Sequence, residues 1–145
     1  FQRKKCMTFF AAMLDTRDGT IECAAAAHPL PLLFRGGRLE AFPKIGCPPL
    51  GFSQDRKEFP RTTIMLEPGD CLVLFTDILI ELHDRTGKPL GTKGFAAICE
   101  RHVALEPAAM RARILEDVTA IGGSELDDDL TMIVLKRGTA VATAS

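Results

Sequence analysis

The chain has 145 residues, 46% of them hydrophobic and 26% charged, with 18 basic side chains against 19 acidic ones and a formal net charge of −1. That is the size and balance of one ordinary globular domain, and it excludes a disordered or fibrous chain. A near-neutral charge gives no broad basic surface for nucleic acid, no apolar run approaches the roughly 18 residues that span a bilayer, and no signal-peptide pattern opens the sequence.

In chain order, the cluster Arg3-Lys4-Lys5 reads as an exposed element end rather than a phosphate site. Met7 to Leu14 is an apolar segment running into the turn-rich loop Asp15 to Gly19. Thr20 to Ala26 returns as a second strand, so the two predict a hairpin. Pro31 to Arg35, the pair Gly36-Gly37 and Arg38 to Phe42 predict another. Residues 43–60 hold four prolines and two glycines and read as loop. Thr62 to Leu66 is a strand, Glu67-Pro-Gly-Asp70 a tight turn, and Cys71 to Phe75 a strand apolar enough to be covered on both faces.

Helical spacing begins later. It covers Gly94 to Val103 and Pro107 to Ile121, the second with Met110, Ile114, Leu115, Val118 and Ile121 on one side. Pro107 suits a first helical turn, and Gly122-Gly123 ends the helix. The polar loop Ser124 to Asp129 leads into a last strand, Leu130 to Leu135, and the small-residue tail 138–145 is expected to be flexible. Strands, then two helices, then a strand that must rejoin a sheet make the fold class α+β, with helices on a largely antiparallel sheet.

Two acidic positions carry the chemistry. Leu72-Val-Leu-Phe-Thr-Asp77 is an apolar strand ending in a carboxylate, where the backbone is held and the side chain can face a cleft. Asp127-Asp128-Asp129 precedes the last strand, and three adjacent carboxylates repel one another unless a cation offsets them. Oxygen donors without cysteine or histidine nearby suit hard cations such as Mg²⁺ or Mn²⁺. The plainer alternative for each is a turn, cap or exposed acidic loop.

His28 is open between an acid/base role and a hydrogen-bonded structural one. Glu81 and Asp84 share a face with Asp77 if that segment is helical, and could equally cap or solvate. The five cysteines include no CxxC pair, which excludes a zinc ribbon. Free buried thiols in a reducing cytoplasm are the simple reading.

Taken in order, several stretches resemble the C-terminal half of the SpoIIE/RsbU-like branch of the metal-dependent protein phosphatases (the PPM, or type 2C, superfamily). They are Met7 to Asp15, Ala26-Ala-His-Pro-Leu-Pro-Leu-Leu33, Gly46-Cys-Pro-Pro-Leu-Gly51, Leu66 to Asp77, Glu81 with Gly87 to Gly91, and Asp128-Asp-Leu-Thr-Met-Ile-Val-Leu135. The resemblance covers about residues 6 to 137. It implies a PPM-like β-sandwich flanked by helices (α-β-β-α), here lacking the N-terminal part, with residues 1–137 as the C-terminal portion of the domain.

It also implies two Mn²⁺ or Mg²⁺ ions activating a water that attacks phosphoserine or phosphothreonine. By motif, Asp77 and Asp128 become metal ligands, Asp129 a support behind them, and Asp127 incidental. The implied partners are a phosphoprotein substrate, such as an anti-sigma-factor antagonist, and an N-terminal sensor or receiver domain in a longer bacterial, cytoplasmic protein. A homodimer is open by analogy, and the isolated fragment is expected to be inactive.

Two departures bear on the site. The family's glycine after the metal-binding aspartate is Ile78, a change expected to disturb the loop and to favour a catalytically degenerate interaction module as the alternative. The glycine of Ala-Gly-His is Ala27, expected to be the milder change. The acidic motifs of the family's N-terminal half are absent, so these residues are expected to bind metal poorly alone.

Overall fold

The computed structural model describes residues 5–52, 58–84, 86–122 and 129–139. In chain order the elements are β1 (Phe9–Leu14), β2 (Thr20–Ala26), β3 (Leu32–Arg35), β4 (Arg38–Glu40), β5 (Arg61–Met65), β6 (Cys71–Phe75), α1 (Ile78–Glu81), α2 (Gly91–His102), α3 (Pro107–Gly122) and β7 (Met132–Lys136). The chain divides into two compact units, Phe1–Leu30 with Phe42–Leu66, and Pro31–Ala41 with Glu67–Ser145. The fold is α+β, and both of its sheets are antiparallel.

The first unit holds the sheet β1-β2-β5. β1 and β2 form the expected hairpin in the register Phe9↔Ala26 to Leu14↔Ile21, and β2 pairs on its other side with β5. Ile21, Cys23 and Ala25 are buried at every second position, as the period of a strand requires. β1 is different: although wholly apolar, it is exposed at every position but the half-buried Phe10.

The second unit holds the sheet β4-β3-β6-β7 and all three helices. The turn between β3 and β4 is Gly36-Gly37, with φ of +57° and +77°, a left-handed pair that glycine adopts without a side-chain clash. Leu32, Phe34, Cys71, Val73 and Phe75 meet Phe95, Ile98 and Cys99 of α2 and Met110, Ile114 and Val118 of α3 in one core. Leu33 and Leu72, on the opposite face of the same strands, are buried as well. The all-apolar reading of Cys71 to Phe75 as a strand covered on both faces therefore holds.

On α3 the positions i, i+4 and i+8 (Met110, Ile114, Val118) are fully buried, while Leu115 and Ile121 sit half-buried at the margin of the stripe. α2 starts three residues earlier than its apolar spacing suggests. Thr92 and Lys93 in its first turn are exposed, so the periodic pattern becomes visible only from Phe95.

Asp70 is the buried charge among the described residues. The turn before β6 closes through Asp70 N–H to Glu67 O at 2.9 Å. The Asp70 Oδ2 atom accepts from Glu67 N–H at 2.8 Å and from Arg35 Nε and Nη2 at 3.1 and 2.9 Å. This pairing raises the Arg35 pKa and ties the β3–β4 turn to the β5–β6 connection.

Cys23, Cys71 and Cys99 are buried, Cys47 is half-buried and Cys6 is exposed, all as free thiols. Burial pushes the Cys99 thiol up to about 12. Among the described residues no helix is long and apolar enough to cross a membrane.

Candidate functional site

The C-terminal tip of β6 is where the sequence places its chemistry. β6 and β7 run antiparallel from Cys71↔Lys136 to Phe75↔Met132, so the end of one strand lies beside the start of the other. The pairing continues one step further, with Thr76 N–H donating to Thr131 O at 3.1 Å.

Thr76 then fastens the two tips. Its Oγ1 accepts from Thr131 N–H at 3.0 Å and turns its own proton toward Asp129 O at 3.3 Å and Thr131 O at 3.4 Å. A hydroxyl residue directly before the strand-end aspartate is the sequence signal for this role.

Asp77 follows at the N-cap position of α1, in helical conformation (φ −57°, ψ −30°). Its carbonyl accepts from Ile80 N–H at 2.9 Å and Glu81 N–H at 3.0 Å. Its carboxylate makes no capping hydrogen bond to the helix and is exposed. An N-cap aspartate ordinarily spends an oxygen on a backbone N–H of the first turn; here the carboxylate makes no such bond and the residue is exposed.

The structure brings Asp77 and Asp129 to adjoining strand tips. Asp129 is exposed, with its main chain tied to Thr76. Asp127 and Asp128 lie outside the described residues. Hard oxygen donors of this kind fit Mg²⁺ or Mn²⁺. Among the described residues, however, no three acidic, histidine or cysteine side chains gather as a metal cluster. The described carboxylates at this tip are those of Asp77 and Asp129.

The other candidates resolve toward structure. His28 Nδ1 lies 2.9 Å from Pro29 O, and its ring packs obliquely on Phe10 with centroids 6.3 Å apart, a hydrogen-bonded histidine in an aromatic corner. His102 Nε2 meets Asp117 Oδ2 at 2.7 Å and joins α2 to α3.

Helix α1 is a single turn, so Glu81 belongs to it and Asp84 lies beyond. Asp84 Oδ1 accepts from Thr86 N–H at 2.8 Å, from the Thr86 hydroxyl and from Lys88 N–H at 3.0 Å. These bonds, the Thr86 hydroxyl foremost, hold its pKa below the ordinary carboxylate value.

The sequence model of the stage II sporulation protein E (SpoIIE) family matches residues 1–138. The chain belongs to the SpoIIE family. Among solved structures, it is similar to the RsbU and RsbW domains of a Mycobacterium tuberculosis protein, at 28% identity and a TM-score of 0.76 over 91% of this chain and 37% of that one. The PP2C domain of SiaA from Pseudomonas aeruginosa matches at 17% identity and a TM-score of 0.74, covering 88% of this chain and 50% of that one. The Mn-presoaked phosphatase domain of SpoIIE from Bacillus subtilis matches at 15% identity and a TM-score of 0.64, covering 90% and 56%. These last two matches show a shared fold. The chain spans between 37% and 56% of the length of these three relatives.

The two positions that depart from the SpoIIE pattern differ in backbone conformation. Ile78 takes a helical conformation as the first residue of α1, and its side chain packs against the core, so no glycine-only geometry is demanded there. Ala27 is the strained one. At φ +52° it is the non-glycine residue in the left-handed region among the described residues. It is held there by Ala27 N–H donating to Cys47 O at 2.9 Å. The β-carbon makes that conformation cost about 1–2 kcal/mol.

Proposed function

We propose that the protein carrying this chain is a bacterial, cytoplasmic, metal-dependent serine/threonine protein phosphatase. In this reading Asp77 and Asp128 hold the divalent ions, Mn²⁺ or Mg²⁺, and Asp129 supports them from behind. A pair of such ions supplies a water of lowered pKa and offsets charge on the phosphoryl oxygens. The chain's own part is to aim the carboxylates. Thr76, directly before Asp77, ties the end of β6 to the lead-in of β7, and the Asp77 carboxylate spends no oxygen on capping α1.

The substrate in this reading is a phosphorylated regulatory protein such as an anti-sigma-factor antagonist, and an N-terminal sensor or receiver domain sets the activity. The observation that carries the proposal is the exposed, uncapped Asp77 carboxylate beside a stitched strand tip, in a chain of the SpoIIE family. The alternative is a catalytically degenerate phosphatase-fold interaction module carrying Ile78 in place of the glycine, and Mn²⁺-dependent turnover separates the two.

The test is hydrolysis of p-nitrophenyl phosphate by the full-length protein with Mn²⁺. Asp77→Asn and Asp128→Asn should each lower turnover on the order of 100-fold or more with unchanged thermal stability. Turnover indifferent to both substitutions, or absent with either metal, would sink the proposal.

A further inference from the structure

β6 leaves its sheet abruptly. In an antiparallel ladder every second residue pair exchanges two backbone bonds, N–H to O in each direction. Thr76 and Thr131 stand at such a position, one step past Phe75↔Met132. The first bond is made, from Thr76 N–H to Thr131 O at 3.1 Å. The return bond does not go to the Thr76 carbonyl. That oxygen accepts instead from Leu79 N–H at 3.2 Å and so opens the helical turn that follows.

The Thr76 hydroxyl takes the place of the diverted carbonyl. Thr131 N–H donates to Oγ1 at 3.0 Å, and the hydroxyl proton is directed at Asp129 O at 3.3 Å and Thr131 O at 3.4 Å. One residue therefore serves two structures, its carbonyl the helix and its hydroxyl the ladder. Without the hydroxyl, the last step of the ladder keeps a single bond and the Asp129 carbonyl loses a donor. Thr131 and Asp129 are both exposed, so water can satisfy the groups released. The loss falls on placement rather than on folding.

What the hydroxyl places is the acidic set. Asp77 follows Thr76 directly, Asp129 is bonded to it through the main chain, and Asp128 is the next residue in sequence. Groups that orient metal-ligating side chains from behind carry about 10–100-fold in metal affinity.

We propose that Thr76 is a positioning residue of the metal site: its hydroxyl, standing in for its own carbonyl, fixes the strand tip that carries Asp77 against the one that carries Asp128 and Asp129. This inference rests on the metal-dependent phosphatase reading. It assigns the effect to the hydroxyl and not to the methyl group of the same side chain.

The experiment uses the full-length protein, with Mn²⁺ affinity read by titration calorimetry and hydrogen exchange of the Thr131 amide read without metal. Thr76→Val, which keeps the shape and removes the hydroxyl, should weaken Mn²⁺ binding about ten-fold or more and speed exchange at Thr131. Thr76→Ser, which keeps the hydroxyl, should restore both toward wild type. Val118→Ala, in the core against α3, should lower Tm and leave Mn²⁺ affinity unchanged.

Thr76→Val binding Mn²⁺ as tightly as wild type, unchanged exchange at Thr131, or Thr76→Ser binding as weakly as Thr76→Val overturns the inference. An equal loss in Val118→Ala also overturns it, because stability alone would then explain the effect. A wild-type protein that binds Mn²⁺ but hydrolyses no phosphate ester ends the phosphatase reading, and the calorimetric comparison still decides Thr76. A wild-type protein that binds no Mn²⁺ overturns both.

Discussion

The two units are both built on antiparallel sheets, yet they treat apolar sequence in opposite ways. In the second unit, β6 is apolar and buried along nearly its whole length, with α2 and α3 packed against it. In the first, β1 is equally apolar and almost wholly exposed, with Met13 at 68% and Phe9 at 47% of full exposure. Within these 145 residues, which span 37–56% of the relatives' length, hydrophobicity alone therefore does not report how well a strand is covered. The candidate metal carboxylate, Asp77, follows two residues after the end of the buried strand β6, and a site needing fixed geometry belongs beside a well-held element.

The contrast is most easily broken by truncation. Phe95 is fully buried, with its ring centroid 4.8 Å from that of Phe75, and Phe95→Ala should cost about 4 kcal/mol in urea unfolding. Met13→Ser, on β1, should change stability by less than about 0.5 kcal/mol. Comparable losses would mean that β1 is as well packed as β6.

Asp70→Asn should cost about 2–3 kcal/mol, because Arg35 loses its charged acceptor inside the fold while keeping partial access to water. Ala27→Gly should stabilise by about 0.5–1 kcal/mol, the relieved left-handed strain less the extra freedom of glycine in the unfolded chain. Its signature is local: labelling of the buried Cys23 thiol in the first unit should slow, while Cys99 in the second is unchanged.

The smallest effect concerns pH. Hydrogen bonding from His102, and then the charge of Arg101, hold the Asp117 pKa below its ordinary value. A depressed carboxylate stabilises the fold above its unfolded pKa, near 3.9, and that contribution disappears as pH falls through the folded value. Asp117→Asn should therefore flatten the stability profile below about pH 4 and leave it parallel to wild type above that.

Much of this fold was readable from local pattern. Thr20–Ala26 and Cys71–Phe75 match the structure residue for residue, because alternation or continuous apolarity was bounded by strong turn signals on both sides. The pairing of β3 with β6 and of β2 with β5 was not readable, since nothing local to a strand names a partner tens of residues away. The single turn of α1 is shorter than any periodicity can reveal. The backbone states of Ile78 and Ala27 were not readable for a related reason. Which glycine position needs a left-handed backbone is a property of φ, and the residue type that replaces glycine does not report it. Asp77 was found through its strand, whereas the Thr76 clasp depends on a cross-strand neighbour and appeared only with the coordinates.

β1 has one last practical consequence. It lies at the margin of its sheet, so its outer row of amide and carbonyl groups is unpaired by any strand among the described residues. In the 145-residue chain taken by itself, an apolar ribbon of that kind is a template onto which further copies can stack at high concentration, as in the seeding of fibrils. A lysine at position 13, whose side chain already projects into water, would act as a gatekeeper against such stacking at little cost to folding.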